Sequence, residues 1–186
     1  MKSVLISIQP KWCELIASGK KTVEVRKTKP KLETPFKCYI YCTKDKNYSF
    51  CTDDGIQYTN IGNGKVIGEF VCGNIGTTSW IKSPEHLSWV DGYDEKSCLT
   101  NRELYEYSKG GIFYEWCISD LVIYDEPRGI RGFYHYCGDD PKCDGCEFLY
   151  YSNTECGKEE FCCSNMYGCK HLKRPPQSWC YVEEVE

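Results

Sequence analysis

The chain has 186 residues, 15% of them aromatic, and a formal net charge of −4; that length suits one domain, or one domain with an appendage. No stretch approaches the roughly 20 apolar residues of a membrane span, and the first apolar run, Val4 to Ile8, is too short for a signal-peptide core and has no cleavage pattern after it. No membrane partner is therefore expected, and the cytoplasm, where thiols stay reduced, is the expected compartment.

Val4–Ile8 reads as a first strand. Pro10 suits the first position of a helix, Trp12, Leu15 and Ile16 follow at helical spacing, and Gly19 suits a left-handed stop. Thr22 to Arg26 then alternates, with Val23 and Val25 on one face and Thr22, Glu24 and Arg26 on the other. After a Lys/Pro-rich connection, Lys37–Cys42 and Lys65–Cys72 read as strands, separated by polar residues 43–63 with turn signals at Asp53-Asp54-Gly55 and Gly62-Asn63-Gly64. Residues 73–98 look irregular. Thr100-x-x-Glu103 is a capping box that opens a second helix, with Leu104 and Tyr107 facing inward and Gly110 ending it. Two short strands follow, Tyr114–Ile118 and Leu121–Tyr124, and Pro127 breaks the pattern. From 127 to 178 the composition shifts to Cys, Gly, Asp and Pro, and strand character resumes at Trp179. Five or six short strands with two helices between them suit a small, partly closed β-barrel. Residues 1–126 form this barrel, 127–178 an insertion, and 179–186 a last strand returning to it.

Glu24 and Arg26 lie two residues apart on one strand face, so they share one polar site, with Lys21 at the mouth of the strand. The default for such a pair is a solvated surface contact worth little energy. As a binding set, Arg26 can hold a phosphate or base edge with its planar fork, Lys21 a phosphate, and Glu24 can accept from an exocyclic amine. Trp12 and Trp116 offer stacking faces or core filling, the latter being the natural reading of Trp12 on an apolar helix face. Gln9 and Lys11 stand at the rim. Residues 1–34 carry eight Lys or Arg against three Asp or Glu, a local +5 on an acidic protein, which permits a basic face around this motif.

Gly19, Lys21, Glu24 and Arg26 fall on the G-x-K-x-x-E-x-R signature of the ASCH domain family, which has a PUA-like fold. Ser7-Ile8-Gln9-Pro10-Lys11-Trp12, Gly64-Lys65-Val66-Ile67-Gly68-Glu69-Phe70, Tyr114 to Leu121 and Pro175 to Glu183 extend the likeness. Together they resemble the ASCH proteins of phages and Gram-positive bacteria. The resemblance implies an α+β, mainly β fold with a PUA-like barrel, and RNA or a modified nucleoside as ligand. Some small bacterial ASCH proteins are amidohydrolases that deacylate N4-acetylcytidine; Lys21 aligns with their catalytic lysine, and in that role Glu24 would relay protons. Their essential threonine falls at Glu24, however, and Glu95 is only the nearest candidate for their catalytic glutamate.

Eight of the 15 cysteines lie between Cys137 and Cys180. Cys143 and Cys146 have the spacing that lets two thiolates grip one ion from a turn, with Gly145 between them. With Cys163 and Cys169 they make a four-thiolate set for a structural zinc; Cys162, Cys156 and His171 compete for the later places. A segment of about fifty residues without periodicity needs such an ordering element. Cys38, Cys42, Cys72 and Cys117, on strands, read as small buried residues. The insertion is also a candidate contact surface for a protein partner.

Overall fold

A computed structural model describes residues 2–46, 49–51, 57–59, 63–79, 93–135, 172 and 174–184. In chain order the elements are β1 (Ser3–Ile8), α1 (Pro10–Ala17), β2 (Val23–Arg26), β3 (Phe36–Cys42), β4 (Ser49–Cys51), β5 (Gln57–Thr59), β6 (Val66–Ser79), β7 (Tyr93–Asp94), β8 (Leu99–Thr100), α2 (Asn101–Ser108), β9 (Ile112–Arg128), a 3-10 turn at Ile130–Gly132, β10 (Phe133–His135) and β11 (Trp179–Glu184). Seven strands make one sheet in the order β10-β11-β1-β3-β6-β9-β2, while β4 with β5 and β7 with β8 form small hairpins. Among the described residues, only β1 and β3 pair in parallel within the large sheet. A parallel pair needs a crossover, and α1 with β2 supplies it. Among the described residues, no helix is long and apolar enough to cross a membrane.

The sheet is open in its hydrogen bonds, with β2 and β10 at its ends. It curls nonetheless: Arg26 at the end of β2 donates from Nη2 to the Ser7 carbonyl of β1 at 2.6 Å, across four positions of the sheet order. The architecture is thus the expected α+β, mainly β one, a barrel-like sheet with two helices. Period-two alternation sorts the core. Val4, Ile6 and Ile8 of β1, Cys38, Ile40 and Cys42 of β3, Phe70 and Cys72 of β6 and Trp116 of β9 share one cluster, closed at its end by Cys13 and Ile16 of α1. Leu5, Tyr39, Tyr41, Val66 and Val182 face the other way, under Phe133 and Leu172. β1 is therefore buried on both sides, which explains its unbroken apolar run. A third cluster, Val23, Val25, Leu104 and Phe113, forms where α2 covers the outer face of β2.

Several elements differ from the sequence expectation. Residues 73–79, expected to be irregular, continue β6, because pairing with β9 absorbs the turn-forming Gly73-Asn74 through a register shift between Cys72 and Ile75. The two short strands expected around Tyr114 and Leu121 are one 17-residue strand, kinked at Asp120, whose φ is 47°. That strand carries Pro127 and crosses the boundary expected at 126, and β10 extends the sheet to His135 by pairing with β11. β11 pairs with β1 as the last strand, from Ser3 opposite Val182 to Ile6 opposite Trp179. On α1 the buried stripe runs through Pro10, Cys13 and Ile16 rather than Trp12 and Leu15, so Trp12 sits at its edge.

Candidate functional site

The α1–β2 junction is built by backbone geometry. Gly19 takes φ 74° just past α1, as a left-handed helix stop requires, and the chain turns into β2. The β7–β8 turn clamps this junction: the Lys96 carbonyl accepts from the Thr22 and Val23 amides at 2.9 and 3.0 Å. The Cys98 thiol donates to the Lys20 carbonyl at 3.4 Å. Alternation along β2 then sends Val23 and Val25 outward under α2 and Glu24 and Arg26 inward, with Trp116 and Tyr114 as their cross-strand neighbours on β9.

Lys21, Glu24 and Arg26 meet there in a chain of contacts. Lys21 Nζ lies 3.4 Å from Glu24 Oε2, and Arg26 Nη2 lies 3.0 Å from Glu24 Oε1. Lys21 Nζ also donates to the Ser97 carbonyl at 2.6 Å and stands 5.3 Å from the centre of the Trp12 ring. The solvated surface pair expected by default is not found: Lys21 is 2%, Glu24 6% and Arg26 9% exposed. The curl of the sheet turns what would be a polar outer face into the end wall of the barrel. Two cations and one anion leave this buried group with an excess positive charge. Arg26 Nε is buried and has no hydrogen-bond partner among the described residues.

The triad opens into a cavity of about 280 Å³ whose lining includes Gln9, Trp12, Leu99, Glu103 and Tyr107 beside the three charged residues. Trp12 is half-buried, and thus both packs on the core and walls the cavity. Gln9 is exposed at the rim. Lys11 is exposed and stands off the cavity, with its ammonium 4.3 Å over the Trp12 ring. Trp116 does not serve as a stacking face. It is fully buried, edge-on to Phe36 at 5.9 Å and 6.0 Å from Trp179, because β9 points it into the closed core.

Two wall residues escaped the sequence reading as site residues. Glu103 reads as a capping box, and it does cap: Thr100 N and Oγ1 donate to its Oε2 at 2.8 and 3.0 Å, while its own amide donates to Thr100 Oγ1 at 3.1 Å. These contacts, led by the Thr100 amide and helped by the Lys11 charge, hold its carboxyl below the ordinary range against the opposing effect of burial. The same side chain faces the cavity, so the start of α2 serves both cap and wall. Tyr107, one turn further along the same helix face, stands at the mouth, 37% exposed, instead of filling the core. Burial raises its phenol above the usual value, partly countered by Arg26. The i, i+4 spacing of Glu103 and Tyr107 was the available signal. Glu95, by contrast, is exposed and does not line the cavity.

Cys13 lies beside Cys42 beneath this site, its thiol donating to the Ile8 carbonyl at 3.5 Å, and burial pushes that thiol well up. Cys38, Cys42 and Cys72 are buried and Cys117 partly so, all as free thiols. Cys143, Cys146, Cys163 and Cys169, with Cys156, Cys162 and His171, lie outside the described residues. Among the described residues, no group of three or more His, Cys, Asp or Glu is placed to hold a metal ion.

Three solved structures share the fold. The crystal structure of ASCH from Zymomonas mobilis matches with TM-score 0.53 and 18% identity, over 97% of this chain and 87% of that one. Two mutant proteins of the same Zymomonas mobilis ASCH match with TM-scores of 0.54 and 0.55 at 17% identity, over 98% and 97% of this chain and 91% and 88% of theirs. No curated protein matches the chain. The family model described as "ASCH domain" matches residues 6–110, a span that runs from β1 through α2 and contains the whole charged triad. More than half of the chain is covered, and the chain belongs to the ASCH domain family.

Proposed function

We propose that the cavity beside α1 binds a nucleoside, in particular a modified nucleoside presented by RNA. The observation that carries this reading is the buried Lys21–Glu24–Arg26 group, with its excess positive charge and an Arg26 Nε that has no acceptor among the described residues. A buried donor without a partner costs about 1–3 kcal/mol, and a ligand oxygen reaching it recovers that cost. A nucleoside supplies carbonyl oxygens for Arg26 and Lys21 and an exocyclic amine for the Glu24 carboxylate. Trp12 offers a π face at the wall, with Gln9 at the rim. At about 280 Å³ the cavity falls just under the ~300–1,000 Å³ of common ligand sites, a size for a base or nucleoside and not for a dinucleotide cofactor.

Thermal-shift screening of the protein against free nucleosides, followed by calorimetry on the hits, tests this directly. A hit whose stabilisation disappears in R26A is the expected result. Absence of any nucleoside hit, or hits indifferent to R26A, would overturn it.

A second reading has one specific observation in its favour. Lys21 Nζ is almost fully buried, and burial is the setting in which a lysine serves as base or nucleophile, with the Glu24 carboxylate 3.4 Å away to relay protons. This suits an amidohydrolase that adds water across the acyl amide of an N4-acylated cytidine, releasing the carboxylic acid and cytidine. Acetate release from N4-acetylcytidine, lost in K21A, is its signature; native protein that binds this compound without releasing acetate rules it out.

A further inference from the structure

Beyond the cavity, the connection from β2 to β3 carries an arrangement that the nucleoside site does not need. Lys27, Lys29 and Lys31 stand at alternate positions, at most about 7 Å apart along the chain, and all three are exposed. Two of them carry their ammonium groups near an aromatic ring, and the third is tied to a tyrosine through its backbone. Lys27 Nζ lies 4.8 Å from the centre of the Tyr107 ring, and Lys29 Nζ lies 5.5 Å from that of Tyr114. The Lys31 amide donates to the Tyr181 hydroxyl at 2.7 Å, and Lys2 Nζ lies 4.3 Å over the same Tyr181 ring. Between them the Trp179 indole donates to Thr28 Oγ1 at 3.0 Å. The segment is thereby fastened to β11 while its ammonium groups stay at the surface. Residues 27–32 contain no acid, and Glu33 is the first to follow. A protein of net charge −4 thus concentrates four cations on one strip.

The strip is continuous with the cavity, since Tyr107 belongs to both. We propose that Lys2, Lys27, Lys29 and Lys31, with Tyr107, Tyr114 and Tyr181, form a track for the single-stranded RNA that flanks the nucleoside in the cavity. The strand leaves the mouth at Tyr107 and runs toward β11. Cations at regular intervals match a phosphate backbone, and the interleaved rings accept bases of any identity. An acidic peptide would use the charges and leave the rings idle. The track rests on the reading of the cavity as a nucleoside site, and it adds that the natural ligand is a nucleotide within a strand.

The test compares the native protein with K2Q/K29Q/K31Q, which leaves Lys27 and every cavity residue in place. Binding to an oligouridine of about 12 nucleotides, within the range of single-strand site sizes, is followed by fluorescence anisotropy between low and moderate salt. Each phosphate contact contributes about −0.7 to the slope of log K against log salt for a single strand. The triple variant is expected to flatten that slope by about 2, while its melting temperature and its affinity for the free nucleoside hit stay native. An unchanged slope, or no binding of the oligonucleotide by native protein, overturns the track. So does an equal loss of affinity for a polyglutamate peptide, which would make the strip a general polyanion surface. If no free nucleoside binds while the slope still falls by about 2, the cavity reading fails and the strand surface stands.

Discussion

Replacing Glu24 by Gln is the sharpest perturbation of the buried site. Its two oxygens lie 3.4 Å from Lys21 Nζ and 3.0 Å from Arg26 Nη2, and none of the three residues exceeds 9% exposure. At an effective dielectric of about 20, unit charges at these separations attract by roughly 5 kcal/mol each before desolvation is counted. Removing one partner of a buried ion pair costs about 3–5 kcal/mol, because the other charge is left uncompensated. Here two cations are left, so the upper part of that range is expected for E24Q. For a chain of this length each kcal/mol lowers the melting temperature by about 2–4 °C, which puts the expected fall, for about 4–5 kcal/mol, at roughly 8–20 °C by calorimetry. E24Q/K21M returns the site to its native net charge and is expected to recover only part of the loss, since the Ser97 carbonyl then loses its donor. A melting temperature for E24Q within about 1 °C of native would refute the reasoning, because it would mean that the three charges are solvated.

T100A removes the hydroxyl of the α2 capping box and is expected to cost about 0.5–2 kcal/mol in denaturant unfolding. The Glu103 carboxyl is lowered by the same box, so its contribution is present above its unfolded value and lost as pH falls through the lower folded value. E103Q should therefore weaken the protein at pH 7 and converge with native as pH falls through the lowered folded value, as read from unfolding midpoints across an acid series. A methyl at Gly68 would drive into the Val122 carbonyl where β6 crosses β9, so G68A is expected to cost about 3 kcal/mol, the upper end for overpacking. G129A meets nothing within 4 Å and should stay within about 0.5 kcal/mol of native in the same chemical denaturation series. Zinc on Cys143, Cys146, Cys163 and Cys169 should appear in elemental analysis at close to one ion per chain. Less than about half an ion per chain, or a content unchanged in C143A/C146A, would remove that proposal.

Much of the site was legible in local sequence. The α1 stop at Gly19, the two-residue alternation of β2 and the capping box at Thr100 are short-range features, decided by backbone dihedrals and neighbouring side chains. The first two place Lys21, Glu24 and Arg26 close together along the chain without any knowledge of the rest of it. Burial was not legible, because it depends on where the sheet curls. Strand alternation says which residues share a face; it does not say which face is inside. The extension of β6 through Gly73 and Asn74, and the fusion of two expected strands into β9, were hidden for the same reason: long-range pairing outweighed local turn preference.

The sequence by itself determined the family signature, the mainly β character with two helices, and the three charged residues of the motif. Only the tertiary structure decided that those residues are shielded from water, that Trp12 walls a cavity while Trp116 fills the core, and that Glu103 and Tyr107 complete the rim. The physical reason lies in the reach of each interaction. Caps and alternation act over a few residues, whereas Arg26 meets the Ser7 carbonyl, and Lys21 the Ser97 carbonyl, only after the sheet has folded back on itself.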